Sequence, residues 1–304
     1  MSFKFSFFEE PAAASSTSAS APAPLPSPPP FTSVDCASIG CTLIAPPSAQ
    51  SGPTITHSFP CSSVSLTLTL PSSSLTPSGA LSDLQPGVYE GGSVVWQGSN
   101  DVGGYILKQH EGGKTSRSSD ALFEGEKLHI NNALEGVEGG GKVLELGCGH
   151  AVPSLLIAKL WDVHLTLIDY NISTISRNTW PNLMSNLPEG KLGKCAVYSG
   201  DWHGLPATAT GYNVVIASET LYTPSKTRET VYLINRHLSS DANAIALVSG
   251  KRYYFGRELG GGTGMFEDIW RESGGFIKDR ILFDDASDNV REILVCALGG
   301  GDAK

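Results

Sequence analysis

Cysteine is scarce in this 304-residue chain, and the six present (36, 41, 61, 148, 195 and 296) form no C-x-x-C pair and no cysteine-histidine cluster of zinc spacing. This argues against a zinc module and a disulfide-stapled scaffold, and reduced intracellular thiols are the default. Charge is missing from a long stretch: between Pro11 and Ala80 only Asp35 is charged, and Pro, Ser, Ala and Thr dominate. Such a composition buries too little apolar surface to offset the entropy of ordering. Residues 1–60 are therefore expected to be a disordered tail, with one domain over 61–304. No run approaches the ~20 apolar residues of a membrane span, and the start, MSFKFSFFEE, lacks the continuous apolar region of a secretory signal. The expected setting is the cytoplasm or nucleus, away from membranes. A basic stripe is missing too. Residues 1–80 hold Lys4 against Glu9, Glu10 and Asp35, so -7 of the formal -9 falls on the remainder. That balance speaks against direct nucleic-acid binding and suits a basic protein substrate. No internal repeat is visible, and a monomer is expected.

What the chain does have is Lys142 to Leu156, KVLELGCGHAVPSLL. An apolar run ends in the turn Gly147-Cys148-Gly149, and a helical pattern resumes at Val152, Leu155 and Leu156: strand, tight turn, helix. Glycines let the backbone take positive φ and approach a ligand closely, while the helix start presents unpaired N–H groups. Val152 stands where the third glycine of a dinucleotide fingerprint would be. Glu145, just before the turn, would repel a pyrophosphate and attract a cation such as a sulfonium.

From Lys142 onward strands alternate with helices. Strands are predicted at 142–146, 164–169, 195–199, 213–218 and 244–249, with helices near 152–160, 172–186, 225–238 and 264–273. Runs such as VVIA, apolar throughout, belong to a parallel sheet covered on both faces. Residues 276–283 and 291–298 read as a closing antiparallel hairpin. The fold class is α/β: a Rossmann-like core over 142–304 behind an N-terminal extension over 61–141. That extension carries a strand at 64–70, a helix at 101–109 capped by Asn100, and a helix within 122–134.

Ligands bind such sheets at the carboxyl ends of the strands, where strand order reverses. Those ends hold Gly147 and Gly149; Asp169, Tyr170 and Asn171; Gly200, Asp201 and Trp202; and Ser218, Glu219, Thr220 and Tyr222. Asp169, some 20 residues past the turn, can accept hydrogen bonds from a ribose diol or share in capping the next helix. Asp201 can take an exocyclic amine. Trp202 offers adenine a face or an edge, or else packs on the core.

The ordered set GVYEGGSVVW (87–96), LELGCGHAVPS (144–154), IDYN (168–171), SGDW (199–202) and ASETLY (217–222) resembles the protein-histidine methyltransferase family. Its members are seven-β-strand, S-adenosylmethionine-dependent enzymes that modify a large-subunit ribosomal protein; the match covers roughly Leu81 to the C-terminus, and the MSFKF start is similar to fungal members. The resemblance implies a class I methyltransferase sheet. It puts the methionine end of the cofactor against Val95, Trp96, Gln97, Gly98, Ser99 and Gly147. Ribose and adenine would meet Ile168, Asp169, Tyr170, Gly200, Asp201 and Trp202, with Ser218 below the sulfonium. Where the family commonly has Trp-Glu-Cys-Thr/Ser, this chain has Trp96-Gln97-Gly98-Ser99. An Asp-Leu pair becomes Asp101-Val102, and Ala151 and Ser154 replace glycines of some relatives.

Histidine suits methyl transfer because a neutral imidazole, with an ordinary pKa of ~6.5, already has a free acceptor nitrogen. What it needs is alignment and an acceptor for its other N–H. Glu219 is the candidate acceptor, with Tyr222 shaping the pocket; Glu219 could equally be a structural acid bonded to backbone. Two rival readings stand beside this one. A protein-lysine methyltransferase could build an aromatic channel from Trp96, Tyr222, Tyr253 and Tyr254. A non-catalytic cofactor-binding scaffold would account for Gln97 and Gly98. The stretch Gly260 to Gly264 reads as a lid, a peptide groove or a plain loop.

Overall fold

The computed structural model describes residues 41–47, 54–59, 64–69, 84–85, 89–90, 94–115, 128–254, 261–283 and 290–299. The chain divides into two units, Met1–Asp35 and Cys36–Lys304, and every described residue belongs to the second. Short strands β1 (Cys41–Leu43), β2 (Thr54–Ser58), β3 (Ser65–Thr69), β4 (Leu84–Gln85) and β5 (Tyr89–Glu90) come first. Helices α1 (Gln97–Thr115) and α2 (His129–Leu134) follow. The alternating part runs β6 (Gly141–Leu146), α3 (Val152–Leu160), β7 (Val163–Asp169), α4 (Ile172–Thr174), a π-helical segment Ile175–Thr179, α5 (Trp180–Asn186), α6 (Glu189–Leu192) and β8 (Cys195–Gly200). It continues through β9 (Val214–Ser218), α7 (Pro224–His237), β10 (Ile245–Lys251), α8 (Thr263–Glu272), β11 (Gly275–Phe283) and β12 (Arg291–Leu298).

Eight strands form one sheet in the order β1-β8-β7-β6-β9-β10-β12-β11. From β8 to β10 all neighbours are parallel; β12 runs antiparallel to β10, and β11 antiparallel to β12. This is the expected Rossmann-like, mostly parallel sheet with its closing antiparallel hairpin, and β1 adds an eighth strand at one edge. Alternation explains the uniformly apolar strands. Val143, Leu165, Ile216, Leu247 and Val295 face one buried cluster, with Ile106, Leu155 and Leu183 from α1, α3 and α5. Leu144, Val215, Val248 and Leu294 face the other, with Val231, Phe266 and Trp270 from α7 and α8. With two covered faces, nearly every strand position is apolar. Each fully buried aliphatic side chain contributes about 1.5–3 kcal/mol.

Part of the stretch expected as a disordered tail is ordered. β1 pairs antiparallel with β8, Cys41 opposite Gly200. Ile44 N–H donates to the Val197 carbonyl at 2.8 Å, and the Ile44 carbonyl accepts the Trp180 indole N–H at 2.9 Å. β2 pairs with β3, and the adjoining Phe59 is buried with Leu66 and Leu68 in the first cluster. Phe59 packs so close to α1 that a side chain on Gly103 would meet its ring at 2.7 Å. Uncharged sequence orders here because the sheet edge and the α1 surface supply partners that composition cannot reveal. Residues 1–40 lie outside the described residues, as do the hairpin turn 284–289 and residues 122–127 of the expected helix 122–134, whose second half is α2.

Two other boundaries differ. Helix α1 starts at Gln97, so Asn100 lies inside its first turn, where the Trp96 carbonyl accepts its N–H at 3.4 Å. The single helix expected over 172–186 contains the π-helical segment, in which Trp180 N–H bonds Ile175 O five residues back. Pro181 accounts for it: with no N–H, proline cannot continue the ladder, and the wider turn accommodates its ring.

Candidate active site

Strand order reverses between β6 and β9, and a cleft lies beside their carboxyl ends. Of the residues read from the sequence, Val95, Trp96, Ser99, Gly147, Gly149, Asp169, Tyr170, Trp202, Ser218, Glu219 and Tyr222 line it. Cys148, His150, Ala151, Thr220 and Lys226 line it as well. The glycine turn forms one wall. Gly147 has φ +66°, and a Cβ there would lie 3.1 Å from the Trp202 ring and 3.3 Å from Thr220 Cγ2, so only glycine lets strand, indole and threonine converge. Gly149 has φ +49° and donates its N–H to Asp169 Oδ2 at 3.0 Å. The other Asp169 oxygen accepts the Asn171 N–H at 3.1 Å. The two sequence readings of Asp169 thus coincide: its carboxylate ties the turn to the start of α4 and borders the cleft.

Five candidates do not line the cleft. Gln97 opens α1, and helical spacing puts it on the same face as Asp101, whose Oδ1 accepts from its Nε2 at 3.2 Å. That face borders a second cleft, together with His57, Phe59 and Phe283. Ile168 is fully buried in the core, and only its carbonyl reaches the turn, accepting the Cys148 N–H at 3.0 Å. Gly200 ends β8 at φ +129°, opposite Cys41. Asp201 caps the 3-10 turn Trp202–Gly204, its Oδ1 accepting the His203 N–H at 2.8 Å. Gly98 lies behind Glu219.

Trp202 is buried in the second cluster and also borders the cleft, with the Lys226 ammonium 5.1 Å from its ring centroid. Asp201, His203 and Glu229 offer three ligand atoms within 4.8 Å of one another. Lys226 Nζ, 3.1 Å from Glu229 Oε2, already supplies that group with a cation. Glu145 faces away from the cleft. It is fully buried beneath the turn, accepts the Ser154 N–H at 3.3 Å, and burial pushes its pKa up to about 8. The expected attraction of a cation by Glu145 therefore fails, because the group is neutral at pH 7 and out of reach.

The opposite wall is polar. Ser218 Oγ lies 2.9 Å from Ser249 Oγ on β10 and 3.4 Å from Ser99 Oγ on α1. Ser249 Oγ in turn donates to the Gly98 carbonyl at 3.3 Å. Glu219 follows Ser218 in the left-handed region, φ +57°, which costs a non-glycine residue about 1–2 kcal/mol. Its N–H bonds the Ser249 carbonyl at 2.9 Å, Oε1 accepts the Gly98 N–H at 3.1 Å, and Oε2 accepts the Tyr254 hydroxyl at 2.6 Å. Ala151, at φ +57°, is the other non-glycine residue in this region, and it lines the cleft as well.

Among the aromatic residues proposed for a lysine channel, Tyr254 is committed to Glu219. Tyr253 is 56% exposed, beneath the Arg252 guanidinium at 5.9 Å. Of the four, only Trp96 and Tyr222 line the cleft. The described part of the glycine stretch is neither lid nor open loop. A Cβ on Gly261 would meet the Leu221 carbonyl oxygen at 2.4 Å, and one on Gly262, φ +116°, would meet the Arg252 carbonyl oxygen at 2.5 Å. These glycines permit close backbone packing; 255–260 lie outside the described residues, as do 87–88 and 91–93 of the GVYEGGSVVW stretch.

Comparison with known proteins shows similarity to proteins named histidine protein methyltransferase 1 homolog. The chain is 32% identical to the one from Dictyostelium discoideum over 216 residues, 70% of this chain and 60% of that protein. It is 28% identical to the one from Rattus norvegicus over 222 residues, 64% of this chain and 53% of that protein. Histidine protein methyltransferase 1 of Schizosaccharomyces pombe is 26% identical over 216 residues, 58% of this chain and 56% of that protein. The chain thus spans somewhat more than half the length of these curated relatives. No family model matches it. Solved structures that resemble it include the [4+2]-cyclase SpnF (TM-score 0.44, 16% identity, 54% of this chain and 77% of that one) and the glycopeptide N-methyltransferase MtfA complexed with sinefungin (TM-score 0.38, 12% identity, 53% and 81%).

Proposed function

We propose that this chain, a relative of the histidine protein methyltransferases, transfers a methyl group from S-adenosylmethionine to a histidine side chain of a protein. A large-subunit ribosomal protein is the acceptor the resemblance favours. The observation that carries the reading is the Glu219 carboxylate at the border of the cleft, carried by a backbone at φ +57°.

The cleft fits the cofactor: the positive-φ turn from Gly147 to Gly149 lines it together with Asp169, Tyr170 and Trp202. These residues would hold the nucleoside, and Val95, Trp96 and Ser99 the amino-acid end. S-adenosylmethionine supplies a methyl group whose C–S bond breaks, its electron pair staying on sulfur, as the new N–C bond forms. The protein aligns the imidazole so that one nitrogen lone pair makes that bond. Glu219 accepts the N–H of the other ring nitrogen, fixing the tautomer and stabilising the positive charge that develops on the ring. A carboxylate has about four acceptor sites, so the bonds from Gly98 and Tyr254 leave room for a third. The ring proton then passes to water.

The two rival readings lose their support. The lysine channel is not assembled by Tyr253 and Tyr254, and the non-catalytic reading rested on Gln97, which turns away from the cleft, and Gly98, which makes room for Glu219. The test is mass spectrometry of ribosomal proteins incubated with the purified protein and labelled methyl donor. We expect a single methyl on a histidine. Methyl on lysine, or cofactor binding with no transfer to any protein, would sink the reading.

A further inference from the structure

We infer that Tyr254 is a positioning residue acting through Glu219, and that Gly98 is its necessary counterpart. The inference rests on the reading of Glu219 given above. Tyr254 does not line the cleft; its hydroxyl, which also accepts the Lys251 N–H at 3.4 Å, reaches the cleft through the Glu219 carboxylate. Its hydroxyl donates to Glu219 Oε2 at 2.6 Å, short for an O–H···O bond, as expected when the acceptor is charged. Burial and the Glu219 charge hold this phenol far above its ordinary pKa, so it stays a donor at every pH of interest. The Gly98 N–H fixes the other oxygen at 3.1 Å.

These two donors, one on α1 and one after β10, clamp the carboxylate from opposite sides. Without them, a glutamate at φ +57° on a loop could rotate its side chain freely. The clamp also explains why a small residue is required at 98: a Cβ there would lie 2.7 Å from Oε1 and 2.9 Å from Cγ of Glu219. In this chain the missing side chain at 98 is the space that Glu219 occupies. The backbone beneath is fixed by the same elements, since Ser249 accepts the Glu219 N–H through its carbonyl and donates to the Gly98 carbonyl through its hydroxyl.

The test is a double-mutant cycle on single-turnover methyl transfer, with Tyr254→Phe, Glu219→Gln and the double variant, at saturating cofactor and acceptor peptide. We expect Tyr254→Phe to slow transfer about tenfold or more, as misplacement of an aligning group does. The peptide KM and the cofactor Kd by calorimetry should stay within about twofold. In the Glu219→Gln background the same change should cost almost nothing. Gly98→Ala, which pushes on the other oxygen, should slow transfer while preserving cofactor affinity.

A Tyr254→Phe rate within twofold of wild type, a loss that multiplies fully with that of Glu219→Gln, or a loss carried entirely by the cofactor Kd would each overturn the inference. A wild-type protein that methylates lysine would defeat the functional reading alone, because the same cycle then measures the Tyr254–Glu219 coupling on that acceptor.

Discussion

Glu145 stands one residue before the end of β6, at a position that reads as a cation site, yet its side chain points inward. In a strand whose two faces are both buried, a polar residue gives no signal of which layer it enters. Its environment produces a clear pH effect. The folded-state pKa is raised from 4.5 to about 8, chiefly by burial. The folded protein therefore holds a proton that the unfolded chain has lost, and the stability this provides is complete below about pH 4.5 and fades as pH rises through about 8. Glu145→Gln keeps the acceptor for Ser154 N–H and cannot ionise. Denaturant unfolding at about pH 5 and pH 9 should show a smaller loss of stability in the variant than in wild type; parallel losses would contradict the assignment. Asp169 and Ser218 were legible because strand ends face ligands. Gln97 was not: its departure from the family pattern suggested a weakened cofactor site, and only the helix start at 97 reveals that it pairs with Asp101. Tyr254 was visible as an aromatic but not as a partner of Glu219, since the two lie 35 residues apart and meet only across the sheet end.

At the level of elements, periodicity located β6 to β12 and α3, α7 and α8 to within one or two residues, because each covers a long apolar pattern. It failed where partners are nonlocal. β1 has three residues and no amphipathic signature, yet it closes one sheet edge against β8 and carries Ile44 to the Trp180 indole. Relative to a chain starting at residue 36, one starting at residue 48 should lose about 2–4 kcal/mol of unfolding free energy, from lost strand hydrogen bonds and an exposed edge. Chemical denaturation of the two checks this, and equal midpoints with equal slopes would show that β1 contributes nothing. The ion pairs around Glu292 belong to this scale too. This buried carboxylate on β12 receives Arg252, Arg280 and Thr263, tying the segment after β10 to the start of α8 and the hairpin.

For the whole molecule, the parallel sheet and the place of the cleft at its strand ends followed from the alternation of strands and helices, whereas the strand order is seen only in the structure. The hydrogen-bond network around Glu219 did not, because it is assembled from α1, β10 and the segment after β10, which converge only in three dimensions. No described helix is long and apolar enough to cross a membrane. The close packing of Gly261 on Leu221 and of Gly262 on Arg252 has a consequence for motion. The segment carrying Glu219 and Tyr222 and the segment leading into α8 share backbone contacts too tight to slide, so neither can swing out alone. In native-state hydrogen exchange, the amides of Glu219, bonded to Ser249, and of Gly264, bonded to Arg252, should therefore report one common opening free energy, and a ligand seated in the cleft should slow both by the same factor. Amides that exchanged independently would mean that the two segments open separately.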